Sequence, residues 1–187
     1  MNLLKGKKIL VTGSEGFIGS HLVERLVSYN ANVTGLVLYN FSNNIGNLKY
    51  INKRLLNKVK IEFGDLTDQK SISSIIKKNE IIINLAALIG IPYSYKAPES
   101  YYETNVKGLM NILDLVKNQK VIHTSTSEVY GTAKYTPIDE FHSLNGQSPY
   151  SASKIAADQL AMSYYYSFGK NISIIRPFNT FGPRQSD

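Results

Sequence analysis

The chain has 187 residues, 43% of them hydrophobic, enough for one domain with a sizeable core. It contains no cysteine, which excludes a disulfide framework, a thiolate metal site and a cysteine nucleophile, and suits a reducing cytoplasm. The net charge of +7 favours anionic partners, but the basic run KYINKRLLNKVK (49–60) carries no recognition motif and reads as a solvated helix face rather than a nucleic-acid patch.

MNLLKGKKILVTG lacks the apolar h-region and cleavage site of a signal peptide. KKILVT (7–12) reads as a strand, followed by a helix over Phe17–Ser28. Between them TGSEGFIG sets Gly13, Gly16 and Gly19 at GxxGxxG spacing. That spacing after a first strand permits a tight turn, close approach of a pyrophosphate and free N–H groups at the helix start, which points to dinucleotide binding. NVTGLVL (32–38) is a second strand, and its end, LVLYNFSNN, has neither the acidic residue that holds an adenosine ribose nor an arginine for a 2′-phosphate. The choice between NAD and NADP is therefore open.

KVKIEFGD (58–65) is a third strand, and Thr67 is a candidate cap for the helix in TDQKSISSIIKK. Asp65 is a candidate partner for an adenine amino group or, equally, a capping aspartate. EIIINLAA (80–87) is a fourth strand, apolar enough to be buried on both faces. The apolar run IIINLAALIGI (81–91) is too short to span a bilayer, which takes about 20 residues, so no membrane partner is expected and the protein is read as cytoplasmic. Pro98 to Lys117 reads as a long helix and KVIHTSTS (120–127) as a fifth strand. Ser148 caps a second long helix with Pro149 at its first position and Gly169 as left-handed stop; NISIIRPF (171–178) is the sixth strand. The alternation predicts an α/β fold, a doubly wound parallel sheet whose site lies at the carboxyl ends of the strands, near Gly13, Asp65, Ala86, Thr126 and Asn179.

Tyr150 and Lys154 stand four residues apart in SPYSASK, on one face of the second long helix. An ammonium beside a phenol lowers the phenol pKa, and such a tyrosine serves as a general base toward a sugar hydroxyl. The spacing alone is common on helix surfaces.

TGSEGFIGSHL, NLAA, TNVKGLMNIL, STSEVYG, SPYSASK and RPFNTFGPR together resemble the extended short-chain dehydrogenase/reductase superfamily, and within it the nucleotide-sugar epimerases and dehydratases. The resemblance implies that residues 1–187 are an NAD(P)-binding Rossmann domain whose C-terminal substrate domain is missing. It implies a cofactor site of Gly13, Gly16, Phe17, Ile18, Gly19, Asp65, Leu66, Ala86 and Ala87, with Tyr150 and Lys154. Tyr150 matches the base that takes the proton of the 4-hydroxyl, and Lys154 the lysine that bonds the nicotinamide ribose and lowers the tyrosine pKa. Thr126 matches the residue that hydrogen-bonds the same hydroxyl; Ser127 and Asn179 fall to the substrate side. Asn105, in TNVKG, is either near the site or a helix-turn anchor.

Glu128 matches the 4,6-dehydratase glutamate that removes the proton at carbon 5; its alternative is a salt bridge at the strand end. Thr126-Ser127-Glu128 resembles the GDP-mannose type and the UDP-glucuronate decarboxylases. LYNFSNNIGNL and PIDEFHSLNGQSPYSASKIAADQLA resemble the dehydratases of legionaminic acid synthesis, acting on UDP- or GDP-linked N-acetylglucosamine. The expected activity is therefore a nucleotide-sugar 4,6-dehydratase. A 4-epimerase, a UDP-glucuronate decarboxylase and an inactive dinucleotide-binding module are the alternatives. A homodimer through the helices at 98–117 and 149–168 is expected, with Tyr101, Tyr102 and Tyr164 to Tyr166 as contact area.

Overall fold

The computed structural model describes residues 3–185, so the first two and last two residues of the expected 1–187 domain lie outside it. Six parallel strands, β1 (Lys8–Thr12), β2 (Asn32–Leu38), β3 (Lys60–Gly64), β4 (Ile81–Asn84), β5 (Lys120–Thr124) and β6 (Ile172–Ile175), lie in the order β3-β2-β1-β4-β5-β6. This is the doubly wound order, with the chain reversing direction across the sheet between β1 and β4.

Alternation along the strands feeds two cores. Leu10 and Ile82 point to one face, beneath α3 (Gln69–Lys77), α6 (Gly108–Leu115) and α7 (Pro149–Phe168). Ile9, Val11 and Ile83 point to the other, beneath α1 (Phe17–Ser28). Among the described residues no helix is long and apolar enough to cross a membrane.

The basic run folds as a 3-10 turn (Gly46–Tyr50) and the one-turn α2 (Lys53–Leu56), with its lysines and arginine exposed. Asp68, rather than Thr67, caps α3, accepting from the Lys70 N–H at 2.9 Å. Thr67 instead donates through its N–H and hydroxyl to Asp65, both at 2.8 Å. The helix expected over 98–117 is interrupted. A short α4 (Ile91–Ser94) precedes α5 (Pro98–Tyr101), a π-helical turn (Tyr102–Lys107) follows, and α6 stops at Leu115. By contrast α7 matches its reading: Ser148 and Ser151 form a capping box, and Gly169 closes the helix at φ 63°.

Candidate functional site

The strands end earlier than their apolar runs do, and the residues beyond the ladder build a groove. β4 stops at Asn84, and Leu85 and Ala86 turn aside with their N–H groups donating to Thr12 Oγ1 at 3.2 and 3.1 Å. β5 stops at Thr124, and Thr126 caps a 3-10 turn (Ser127–Val129) by accepting from the Glu128 N–H at 3.2 Å. The groove between these ends has a volume of about 640 Å³. Every site residue expected from the sequence lines it except Asn105: Gly13, Gly16 to Gly19, Asp65, Leu66, Ala86, Ala87, Thr126, Ser127, Glu128, Tyr150, Lys154 and Asn179.

The glycine turn is tight for steric reasons. Gly13 has φ 63°, and a Cβ there would stand 2.8 Å from the Ala86 nitrogen. A Cβ on Gly19 would collide with the Gly13 carbonyl. Only glycine lets α1 start this close to β1 and β4.

Tyr150 sits in the first turn of α7, its ring packed edge-on against the buried Tyr101 at 6.2 Å between centroids. Burial pushes its phenol pKa up; a hydrogen bond from the Thr126 side chain pulls it back, and the nearby Glu128 charge and Tyr101 push it up again. Lys154, expected to lower it, is not among these causes. The Lys154 ammonium is turned instead to the Thr124 carbonyl, to which it donates at 2.7 Å. Buried almost completely, Lys154 has its pKa lowered to about 8 by desolvation, with Asp158 one turn further along acting in the opposite direction.

Beneath the groove runs a buried polar ladder that the sequence reading missed. Thr12 donates to Asn84 at 2.6 Å, and Asn84 meets His123 at 3.3 Å. Burial, with a smaller effect of Lys154, lowers the His123 pKa well below the ordinary value and keeps the ring neutral. Its Nε2 is 3.6 Å from Asp158, too long for a hydrogen bond. Asp158 accepts from Arg176 at 2.9 Å, and Arg176 donates to the Tyr130 hydroxyl at 3.1 Å. A sequence signal existed: Asp158 lies four residues after Lys154, on the same helix face.

Asn105 is an anchor. From the π turn its amide accepts from Leu88 N–H at 2.9 Å and donates to Leu88 carbonyl at 3.1 Å and Ser153 at 2.9 Å. It thereby ties the wall after β4 to α7, holding Leu88 beside the turn that carries Tyr150. Tyr101 is buried and Tyr164 donates to Asp114 at 2.6 Å, so neither is free contact area; Tyr102, Tyr165 and Tyr166 are exposed.

Three groove residues outside the expected set carry buried oxygens with no hydrogen-bond partner among the described residues: Glu15 Oε2, Thr124 Oγ1 and Ser125 Oγ. Buried polar atoms are ordinarily paired with protein, water or a ligand.

The GDP-mannose 4,6 dehydratase family model matches residues 10–187. The chain is 36% identical to a dTDP-D-glucose 4,6-dehydratase of Dictyostelium discoideum, covering 96% of this chain and 45% of that protein. It is 35% identical to a putative UDP-glucose 4-epimerase of Methanocaldococcus jannaschii, covering 95% of this chain and 57% of that one. DesIV, a dTDP-glucose 4,6-dehydratase of Streptomyces venezuelae solved with NAD, superposes with a TM-score of 0.85 at 31% identity over 95% of this chain and 57% of its own. The chain thus spans about half the length of the curated relatives it matches.

Proposed function

The chain belongs to the GDP-mannose 4,6-dehydratase family, among the NAD-dependent epimerases and dehydratases of the extended short-chain dehydrogenase/reductase group, and from this premise we propose that it carries the NAD site and catalytic residues of a nucleotide-sugar 4,6-dehydratase. The observation that carries the reading is the convergence of Thr126, Glu128 and Tyr150 on the groove that the glycine turn also lines. An epimerase has no need of the Glu128 carboxylate.

The residues fit NAD. The turn at Gly13 and Gly19 leaves no room for side chains beneath a pyrophosphate, and the partnerless Thr124 and Ser125 hydroxyls line the same groove. NAD bound there supplies a hydride acceptor and a positive charge that lowers the pKa of a neighbouring phenol. Tyr150 takes the proton of the sugar 4-hydroxyl as carbon 4 gives up hydride. Thr126, whose hydrogen bond favours the ionised phenol, holds the same oxygen. Glu128, exposed to the groove, removes the proton at carbon 5 and passes one to the departing 6-hydroxyl, which leaves as water. A bound hydride acceptor would return the hydride to carbon 6 as a proton reaches carbon 5, which would make the net change the loss of one water.

The sugar nucleotide in this proposal is UDP- or GDP-linked N-acetylglucosamine, as the legionaminic-type motifs suggest. In the same proposal residues 1–187 form the cofactor domain and the substrate is held by a separate unit. The exposed Phe178 and Phe181, beside Asn179 at the groove mouth, are apolar surface for that unit or the substrate to cover. A homodimer through α5–α6 and α7, using Tyr102, Tyr165 and Tyr166, belongs to the same proposal. Mass spectrometry of the product formed from each nucleotide sugar by the whole protein tests the reading. Loss of water supports it; unchanged mass means an epimerase, and loss of carbon dioxide a decarboxylase.

A further inference from the structure

The end of β2 poses a problem for the cofactor reading. A carboxylate there ordinarily holds the adenosine ribose, yet Leu38, Tyr39 and Asn40 supply none, and residues 32–45 contain no lysine or arginine either. The structure brings a carboxylate to that place from another element. Glu15, between the first two glycines of the turn, reaches across to β2, where its Oε1 accepts from the Leu38 N–H at 2.9 Å.

Glu15 is held from behind. Its carbonyl accepts from the Asn47 N–H at 2.8 Å. Gly46, at φ 54°, packs so closely that a Cβ on it would stand 2.7 Å from the Glu15 carbonyl oxygen. The carboxylate therefore has one oxygen committed to β2, while the other is buried in a groove-lining residue with no partner among the described residues. Arg184, tied to this corner through its carbonyl and the Asn47 side chain at 2.9 Å, is paired with Glu24 at 2.6 Å and does not line the groove.

We propose that Glu15 reads the adenosine ribose: its unpartnered Oε2 accepts from a ribose hydroxyl, and its charge excludes a 2′-phosphate, making the chain selective for NAD over NADP. The inference rests on the cofactor reading above and adds the residue that decides between the two dinucleotides. A carboxylate is acceptor-only, so it matches the O–H groups of a ribose diol. A 2′-phosphate offers further acceptors and like charge at the same point, and with no cation in the loop after β2 nothing there compensates.

Equilibrium titration calorimetry on the whole protein with NAD+ and with NADP+ tests this, using wild type, Glu15→Ala and Glu15→Gln. Wild type is expected to bind NAD+ at least about tenfold more tightly than NADP+, the value of a hydrogen bond to a charged acceptor. In both variants that preference shrinks by about tenfold or more, through weaker NAD+ binding and NADP+ binding that holds or improves. Glu15→Ala also strips the Leu38 N–H of its acceptor; Glu15→Gln keeps an amide oxygen there, so it decides if the alanine variant melts early. A wild type that binds both dinucleotides equally, or a preference unchanged in Glu15→Gln, overturns the inference and leaves the cofactor reading standing. A wild type that binds neither overturns both.

Discussion

Replacing Lys154 by methionine should make the protein more stable at neutral pH. Lys154 is 3% exposed, and burial lowers its pKa from the ordinary 10.5 to about 8. A folded-state pKa below the unfolded one means that the unfolded chain holds the proton more tightly. Below about pH 8 both states carry the charge, and folding bears the full cost of burying it. As pH rises from about 8 towards 10.5 the folded state deprotonates first and the cost fades. The pKa difference corresponds to about 3 kcal/mol at pH 7 and about 1 kcal/mol at pH 10. Methionine fills similar volume without charge but forfeits the hydrogen bond to the Thr124 carbonyl, costing about 1–2 kcal/mol. The net expectation at pH 7 is a gain of about 1–2 kcal/mol, or a Tm rise of about 2–8 °C. At pH 10 the gain should vanish or reverse. Thermal unfolding followed by circular dichroism at both pH values measures it. A variant that melts below wild type at pH 7, or a Tm difference indifferent to pH, refutes the assignment of Lys154 as a buried cation held at a stability cost.

Tyr150→Phe should lower turnover of the whole enzyme by about 10²–10⁴-fold, the range of a lost general base, while NAD binding measured by calorimetry persists; unimpaired turnover would remove Tyr150 from the mechanism. Gly19→Ala places a methyl against the Gly13 carbonyl and should cost about 1–3 kcal/mol in urea denaturation, with NAD binding weakened. Asn105→Ala leaves both Leu88 backbone groups without their partner and Ser153 with only its bond to the Tyr150 carbonyl, so a loss of about 3 kcal/mol is expected in the same assay. A loss below about 0.5 kcal/mol, the range of ordinary surface substitutions, would mean that Asn105 anchors nothing.

The parallel sheet was legible because each of its central strands is a short apolar run bounded by glycine or polar residues, as in KKILVTG. Strand ends were less so. Leu85 to Ala87 and Ser125 to Thr126 continue the strand-like pattern in sequence, but the ladder stops before them because their backbone turns to line the groove. The π turn at Tyr102–Lys107 had no local signal such as proline or glycine in its interior; what holds it is the long-range bonding of Asn105 to Leu88 and Ser153. The Tyr150–Lys154 spacing placed both residues correctly, yet spacing on a helix says nothing of where a lysine head points, and this one points to the Thr124 carbonyl. Glu15 is inconspicuous in sequence because the glycines on either side of it account for the turn by themselves. The lack of an acid after β2, set against an acid inside the turn, was the available clue.

The distribution of unsatisfied groups carries a functional argument of its own. At the amino ends of the strands polar groups are paired: Glu80 accepts from the Lys7 ammonium at 3.1 Å and the Lys8 N–H at 2.9 Å. At the carboxyl ends Glu15, Thr124 and Ser125 keep partnerless buried oxygens, and Lys154 keeps a desolvated charge. Of the six partnerless buried side-chain atoms among the described residues, three thus belong to groove-lining residues, the others lying on His123, Asp158 and Arg184. Natural sequences tolerate such costs where a ligand or a reaction uses them. The costs converge on the groove that also holds Thr126, Glu128 and Tyr150. An inactive dinucleotide-binding module would account for the oxygens near the glycine turn. It would give no reason for Thr126, Glu128 and Tyr150 to share that groove, which is why the Tyr150→Phe comparison, with turnover and NAD binding read separately, distinguishes a catalytic groove from a merely binding one.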